Sequence, residues 1–280
     1  MTLMVRNEED IISANIDFHL AMGVDHVMVT DNGSEDATVD ILREYERKGV
    51  LTLHFEPAGY FDQSACVTRM ARAAAEQWRA SWVINSDADE FWWPLEGNLK
   101  ATLDAIPIED QAVVAPRSNF VAVQPAAGMF YQSMTFRETR SLNAVGKPLP
   151  PKLCHRGNAD VVVGNGNHHV CWGPNNQAPT ISPERPIEVL HFPMRSYPQF
   201  ESKIRLGAPA IERSTTVPKR VGGTWRHLYR LYLEGGLPAY YESQTVGRDQ
   251  AEAGVLSGQL IRDTRLADWF SNRDAGRNSR

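Results

Sequence analysis

Short apolar runs and amphipathic helical segments alternate through the first third of the chain. The predicted strands lie at 2–5, 25–30, 50–55 and 81–85, and the predicted helices at 7–23, 34–49 and 62–80. Strands separated by helices at this spacing form a parallel sheet with helices on both faces. We therefore predict an α/β fold, in which ligands bind beyond the carboxyl ends of the strands.

The ends of these helices are predicted from their capping residues. Asn7 and Ser34 are expected to be the N-caps of the first two helices, and Gly23 and Gly49 are expected to end them. The third helix is predicted to turn toward the sheet a face made of Val67, Met70, Ala71, Ala74 and Trp78.

Beyond residue 95 the pattern changes to short strands separated by loops rich in Pro and Gly. We expect these strands to be mixed or antiparallel additions to the same sheet, at 112–123, 129–139, 159–164 and 187–193. Two helices are predicted to follow, at 197–213 and 224–236, and the polar tail at 271–280 is expected to fray. The predicted units are a domain at 1–215, divided into a nucleotide-binding half (1–95) and an acceptor and metal half (96–215), and a C-terminal helical extension with the polar tail (216–280).

Composition narrows the possible functions. Of the 280 residues, 42% are hydrophobic and 22% are charged, as in an ordinary globular protein. A net charge of −5 argues against nucleic-acid binding through bulk charge. Cys66, Cys154 and Cys171 are widely spaced, which favours a reducing compartment over a disulfide framework. Because no apolar run approaches the length of a membrane span, we expect no integral membrane segment and a cytoplasmic location, peripheral at most to the inner membrane face.

The stretch WVINSDADEFWWP, at 82–94, places two carboxylates directly after the fourth predicted strand. Asp87 and Asp89 would repel each other there, and one hard divalent cation would remove that repulsion. Such a cation could also bridge the diphosphate of a nucleotide-activated substrate. Side chains alternate between the faces of a strand, so at least one of Trp92 and Trp93 is expected to be exposed, where it could stack on an acceptor sugar. Ordinary packing under a loop is an equally good explanation of both tryptophans.

Two further strand ends reach the same edge of the predicted sheet. The loop VRNEED brings Arg6 and Asn7, and the loop TDNGSED brings Asp31 and Asn32. An acceptor such as Asp31 suits the N–H group of a nucleotide base, although an Asn-Gly turn with a Ser cap is also ordinary loop chemistry. This convergence predicts a single crevice at the carboxyl edge.

Four stretches in this order, MVRNEED, DNGSED, NSDADEFWWP and HFPMRSYPQF, resemble a glycosyltransferase of the GT-A fold. The resemblance is to the family 2-like group that carries D-x-D-E-F, which is related to the family 92 transferases. It implies a mixed Rossmann-like sheet flanked by helices, a nucleotide-sugar donor (a UDP-hexose by default), Mn²⁺ or Mg²⁺, and a glycan or glycoconjugate acceptor.

The resemblance also implies roles for residues of the first half. Asp31 would contact the base, Asp87 the ribose or the metal, and Asp89 the metal. The other donor contacts expected in this half are Arg6, Asn7, Glu8 and Asn32.

The second half supplies further candidates. A histidine late in a GT-A domain often completes the metal site, so His191 is the predicted third metal ligand, with packing at a strand end as the alternative. Arg195 and Lys203 follow it and are expected to hold the diphosphate, unless they belong to a solvated helix face. Lys152 is a further expected phosphate contact.

The stretch GNGNHHV contains two adjacent histidines. In a strand-like backbone they point to opposite faces, and either could bind the acceptor, reach the metal or act as a base. We assign His168 to the acceptor, and take Glu90 and His169 as the first candidates for the general base of an inverting transfer. Glu138 and Asp160 stay open for that role, as does a retaining course.

Two other classes of protein fit parts of this pattern. A nucleotidyltransferase shares the α/β plan and the metal carboxylates, but usually has a glycine-rich loop after the first strand. A non-catalytic carbohydrate-binding protein would use Trp92, Trp93 and Trp172 for glycans and the aspartates for calcium.

Overall fold

The computed structural model describes residues 1–57, 62–126, 128–213 and 222–278. The strands are β1 Thr2–Val5, β2 Val27–Asp31, β3 Leu51–Phe55, β4 Trp82–Ser86, β5 Glu90–Pro94, β6 Ala112–Ala115, β7 Arg117–Asn119, β8 Ala122–Gln124, β9 Phe136–Glu138, β10 Lys152–Arg156, β11 Val161–Val163, β12 Val170–Trp172, β13 Ile187–His191, β14 Thr245–Gly247 and β15 Leu260–Arg262. The helices are α1 Ile12–Ala21, α2 Thr38–Arg47, α3 Gln63–Glu76, α4 Leu99–Asp104, α5 Phe130–Ser133, α6 Tyr197–Arg213, α7 Gly223–Leu233, α8 Leu237–Gln244, α9 Arg248–Leu256 and α10 Arg265–Asn278, and a 3₁₀ turn covers Asn165–Asn167.

The main sheet has the strand order β3-β2-β1-β4-β10-β6. The first four of these strands are parallel to one another, whereas β10 runs antiparallel to both β4 and β6. All five residues of β2 are buried, as expected for a parallel strand covered on both faces. The predicted mixed α/β sheet flanked by helices is confirmed.

The prediction that the middle strands all extend this sheet is wrong, because among the predicted strands only β6 joins it, and it does so through β10, a strand that the sequence analysis missed. β5, β13 and β7 form a second sheet, and β11 pairs with β12 as a separate hairpin. Part of the predicted strand at 129–139 is the short helix α5. Alternating apolar residues identify a strand but do not identify its partner, and that partner is chosen by contacts distant in sequence.

The C-terminal region is mostly helical, as predicted, but it also completes two small sheets. β14 pairs with β8 and β15 pairs with β9. The predicted tail at 271–280 is part of helix α10 as far as Asn278. The residues of α10 that pack into the main core, Leu266 and Phe270, precede this tail. The predicted boundary at 215 falls within 214–221, outside the described residues, so the division into units stays a prediction.

Two predicted N-caps are wrong. Asn7 has a φ of +53° and its Oδ1 accepts a hydrogen bond from the Glu35 amide, while its own amide donates to Ser34 Oγ. Asn7 and Ser34 therefore join two loops, and α1 and α2 begin later, at Ile12 and Thr38. Trp78, predicted to face the sheet, is 50% exposed and stacks on His26. Among the described helices, none is long and apolar enough to cross a bilayer.

Candidate functional site

The turn between β4 and β5 carries Asp87 and Asp89 at the carboxyl edge of the main sheet. Helix α1 holds this turn in place, because Asn15 Nδ2 donates to the carbonyls of Ala88 and Glu90 at 2.9 and 2.8 Å. One turn later in α1, His19 Nε2 accepts a hydrogen bond from the Trp92 amide at 3.2 Å. The backbone of the acidic turn is therefore fixed on the core side.

On one side of the turn lies a group that we call the Lys152 cluster, made of Asp87, Glu90, Arg117 and Lys152. Lys152 is fully buried and its ammonium contacts Asp87 Oδ2 at 2.6 Å, Glu90 Oε1 at 3.0 Å and the Gly166 carbonyl at 2.8 Å. Arg117 Nη1 donates to Glu90 Oε1 at 2.8 Å. Burial would raise the pKa of Asp87, but Lys152 and the more distant Lys203 together hold that pKa below its ordinary value.

This arrangement corrects two predicted roles. The three N–H groups of the Lys152 ammonium already have acceptors in Asp87, Glu90 and the Gly166 carbonyl, so none is left for a diphosphate. Glu90 is fully buried and neutralised by two cations, which opposes its predicted role as the general base. Asp87 is bound on its other oxygen by Gln63 and Asn167.

On the other side of the turn lies the Asp89 cluster, made of Asp89, His191, Lys203 and Asn119. Lys203 Nζ contacts Asp89 Oδ2 at 2.6 Å, and His191 Nε2 lies 3.6 Å from the same oxygen. Burial favours the protonated form of Asp89, but the positive charges of Lys203 and, more weakly, Arg195 hold its pKa well below the ordinary value. Asp89 is therefore an ionised carboxylate in a buried position.

The hydrogen bonds of Asn119 define the tautomer of His191. Asn119 Nδ2 donates to Glu138 Oε2 at 3.1 Å and to the Leu142 carbonyl at 3.3 Å, which leaves Oδ1 facing His191 Nδ1 at 2.7 Å. Nδ1 must then carry the proton, and Nε2 presents a lone pair. Burial also lowers the pKa of His191, so the ring is neutral at pH 7.

A lone pair of Nε2 and an ionised carboxylate thus face each other at 3.6 Å. Two acceptors at that separation can share a cation. One ligand atom from each of Asp89, Glu90 and His191 lies within 4.8 Å of the other two. Carboxylate and imidazole groups are ordinary ligands of divalent metal ions. Glu90, rather than the predicted Asp87, belongs to this trio.

The predicted base contact lies at the end of β2. Asp31 Oδ2 accepts from the amides of Gly33 and Ser34 at 3.0 and 3.1 Å. Asp31 Oδ1 is buried and has no hydrogen-bond partner among the described residues, and the same holds for Arg6 Nε. Asn32 Nδ2 is bound to the Pro57 carbonyl at 3.1 Å. A buried acceptor without a partner is unfavourable unless a ligand completes it.

Arg195 is placed differently from its predicted role. Its guanidinium binds Asp10 through two nitrogens at 2.7 and 2.9 Å, and Glu8 Oε2 at 2.6 Å. A third nitrogen donates to the Phe192 carbonyl at 3.1 Å. Arg195 and Glu8 therefore fasten the loop after β1 to the segment after β13, and Arg195 is not free to clamp a diphosphate. Asn7 is likewise bound inside the protein, because its Oδ1 accepts a hydrogen bond from the Glu35 amide in the loop after β2.

The histidine pair divides differently from the prediction as well. His168 Nδ1 contacts the Pro151 carbonyl at 3.0 Å, and burial followed by the charge of Lys152 lowers the pKa of His168 to about 4. His169 is exposed and packs against Gly164 at the base of the β11–β12 hairpin. The structure gives His169 no contact with either cluster in the described part of the chain.

The predicted acceptor role of Trp92 is wrong. Its indole is fully buried and Nε1 donates to Ser86 Oγ at 2.9 Å, so it has no face for a sugar. Trp93 is half-buried and stacks on Phe18, with Arg265 over its other side. Trp172 is also buried, which opposes the carbohydrate-binding interpretation based on these tryptophans.

Several site residues were missed by the sequence analysis. They are Asn15, Gln63, Arg117, Asn119 and Asn167. For Asn167 a signal existed, because GNGN is a pattern of small and amide residues that tolerate positive φ, and Asn167 has a φ of +60°. Asn119 lies in an ordinary strand pattern, and only the fold brings it to His191.

The chain is similar to known proteins in sequence and in fold. The family model of glycosyltransferase family 92 matches residues 1–159, which is more than half of the chain. A search of curated proteins found no match. Among solved structures, the chain is similar to S. aureus TarS 1–349 in complex with UDP, at 16% identity over 83% of this chain and 71% of that one, with a TM-score of 0.40. It is also similar to S. aureus TarS 1–349 in complex with UDP-GlcNAc, at 14% identity over 92% and 91% of the two chains, with a TM-score of 0.39.

Proposed function

Since this chain belongs to glycosyltransferase family 92 and is therefore a glycosyltransferase, we propose that it takes its sugar from a nucleotide-sugar donor bound at the carboxyl edge of the main sheet. The observation that carries this proposal is a set of three incomplete acceptors at strand ends. They are Asp31 Oδ1 at the end of β2, and the facing Asp89, which follows β4, and His191, which ends β13. A UDP-hexose is the expected donor, and the narrower D-x-D-E-F group is part of the proposal.

Asp31 is proposed to receive the base. Its Oδ2 is anchored by two backbone amides, which orients the carboxylate, and its Oδ1 is left to accept a hydrogen bond. The imide N–H of a uracil ring supplies the donor that this oxygen needs. A cytosine base offers no N–H at that ring position, so the site favours uridine.

Asp89 and His191 are proposed to hold a divalent cation, Mn²⁺ or Mg²⁺, while Glu90 lies within reach of the same point but is already neutralised by Arg117 and Lys152. When bound, the cation supplies positive charge that stabilises the departing diphosphate. Lys203 is the nearest flexible cation, because its side chain is 28% exposed and contacts Asp89 from α6. We assign Lys203 to the donor phosphates, in contrast to Lys152 and Arg195, which are used inside the fold.

Inversion at the sugar carbon is the proposed course, with the acceptor hydroxyl attacking opposite the leaving diphosphate. Glu138, Asp160 and His169 stay open as the base for that step. Glu90 is opposed because two cations already bind its carboxylate. The acceptor is proposed to be a glycan or glycoconjugate.

The experiment is calorimetric titration of UDP, CDP and GDP with and without Mn²⁺. We expect the wild type to bind UDP in a Mn²⁺-dependent manner, and Asp89→Ala to lose this binding while keeping its circular dichroism spectrum. Asp160→Ala is the matched control, since it removes an exposed aspartate outside both clusters and should bind like the wild type. Absence of binding of every nucleotide to a folded wild type, with or without Mn²⁺, would refute the proposed donor site.

A further inference from the structure

A cavity of about 540 Å³ lies between β9 and the C-terminal region, away from the acidic turn. Its walls come from residues 121 and 138–140 on one side, and from residues 243–246 and 250–260 on the other. The two strand pairs β8–β14 and β9–β15 frame it. Its volume falls in the range of about 300–1,000 Å³ that small-molecule sites occupy.

The lining of this cavity is polar without being strongly charged. It includes the amide side chains of Gln244, Gln250 and Gln259 and the hydroxyl groups of Thr139 and Ser243. Amides and hydroxyls both donate and accept hydrogen bonds, as the hydroxyl groups of a sugar require. The lining also holds one carboxylate, Glu138, and one guanidinium, Arg140, so it has no net charge.

Glu138 connects this cavity to the Asp89 cluster. Its carboxylate accepts hydrogen bonds from Asn119, Ser141 and the Leu142 backbone. An ionised carboxylate has about four acceptor positions, so one is left for a ligand hydroxyl. Asn119 in turn contacts His191, whose Nε2 faces Asp89. Two side chains thus separate the cavity wall from the proposed cation site.

A second cavity strengthens the connection. It measures about 520 Å³, shares Thr245 with the first, and extends to Arg195 and Ser196. Arg195 contacts Glu8 and Asp10 in the loop after β1, at the carboxyl edge of the sheet. The two cavities thus share a wall residue, and the second borders the arginine that holds the loop after β1.

We propose that the first cavity holds a hexose unit of the glycan acceptor, with Glu138 accepting a hydrogen bond from one of its hydroxyl groups. This inference rests on the proposed function, since a sugar bound here is an acceptor only if a nucleotide-sugar binds beside it. It gives the C-terminal region a purpose in substrate binding, because eight of the twelve lining residues lie between residues 243 and 260.

The test is saturation-transfer NMR with a mixture of methyl α- and β-glycosides of glucose, galactose, mannose and N-acetylglucosamine. Ser243→Trp fills the cavity from an exposed position, where the serine contributes a hydrogen bond to the Tyr240 carbonyl. Ser257→Trp is its matched control, because Ser257 is also exposed and bonds a carbonyl three residues earlier, but does not line the cavity. We expect glycoside signals with the wild type and Ser257→Trp, and their loss with Ser243→Trp.

Equal glycoside signals in the two tryptophan variants, or none with the wild type, would overturn the cavity assignment. The nucleotide titration separates this failure from failure of the proposed function. Ser243→Trp should still bind UDP with Mn²⁺, and Asp89→Ala should still bind the glycosides. Glycoside binding without any nucleotide binding would refute the donor site, and with it the acceptor role of the bound sugar.

Discussion

Two charge clusters flank the same acidic turn, and they differ in how completely their polar atoms are used. In the Lys152 cluster one buried ammonium makes three contacts, and Glu90 Oε1 also receives Arg117. In the Asp89 cluster an imidazole lone pair faces a carboxylate at 3.6 Å, and the cation that contacts this carboxylate is partly exposed. The first cluster is complete without a ligand, whereas the second has acceptors that a cation would complete.

This difference separates two aspartates that look equivalent in the sequence. Asp87 is bound by Lys152, Gln63 and Asn167, all from the protein itself. Lys203 Nζ contacts Asp89 Oδ2, and His191 Nε2 lies 3.6 Å from the same oxygen. We infer that Asp87 shapes the site and that Asp89 binds the ligand.

The largest expected effect is in the complete cluster. Lys152→Met should lower the free energy of unfolding by about 3–5 kcal/mol, because it leaves the carboxylates of Asp87 and Glu90 without their buried cation. Adding Mn²⁺ should not restore this loss. Urea unfolding monitored by circular dichroism measures both quantities.

Lys147→Met is the matched control for this prediction. Lys147 is exposed in the loop before β10, so its substitution should change the free energy of unfolding by less than about 0.5 kcal/mol. A loss for Lys152→Met as small as that of Lys147→Met would show that the cluster is not a unit of the scaffold.

Lys203→Met tests the incomplete cluster in the same way. It should destabilise the protein by about 2 kcal/mol, less than Lys152→Met, because Lys203 is partly exposed and solvent screens its pair with Asp89. Here Mn²⁺ should restore stability, by about 2.7 kcal/mol at a concentration one hundred times its dissociation constant. Lys100→Met, which breaks an exposed pair with Asp25 and leaves Asp89 and His191 intact, should be stabilised by Mn²⁺ only as much as the wild type is. If Mn²⁺ failed to stabilise Lys203→Met, the two clusters would not differ as proposed.

The same comparison shows what the sequence could predict. The strand-helix alternation predicted the parallel half of the sheet and placed Asp31 and Asp89 at one edge, because parallel strands joined by helices all end at the same edge of the sheet. It could not predict that Lys152 lies inside the fold, because a lysine after PLPP is indistinguishable from an exposed one until β10 pairs between β4 and β6. Likewise Trp92 was expected near solvent, and the β5–β13 pairing buried it.

Asn119 is expected to act on the metal site through His191. Asn119→Ala removes the acceptor that holds the Nδ1 proton, so Nε2 is no longer fixed as the lone-pair nitrogen. Affinity for Mn²⁺ should fall about 10–100-fold in calorimetric titration without nucleotide. Asn143→Ala removes an amide side chain of the loop after β9, which accepts a hydrogen bond from the Val145 amide. It should leave the affinity for Mn²⁺ unchanged. Equal affinities in the two variants would remove Asn119 from the site.

Proton binding by a buried histidine extends the comparison to the scaffold side. His19 is fully buried between Asn15 and the Trp92 amide, and burial lowers its pKa to about 3 from an ordinary 6.5. Below pH 6.5 the unfolded chain therefore binds a proton at His19, whereas the folded chain does not bind it until the pH is near 3. The contribution of neutral His19 is complete above pH 6.5 and is lost as the pH falls toward 3, by about 1.4 kcal/mol per pH unit. His19→Gln should be less stable than the wild type at pH 7.5, and the difference should shrink as the pH is lowered from 6.5 to 4 in urea unfolding. A difference that stays constant with pH would mean that His19 binds its proton in the folded state, and the contrast between a complete scaffold and an incomplete site would not extend to α1.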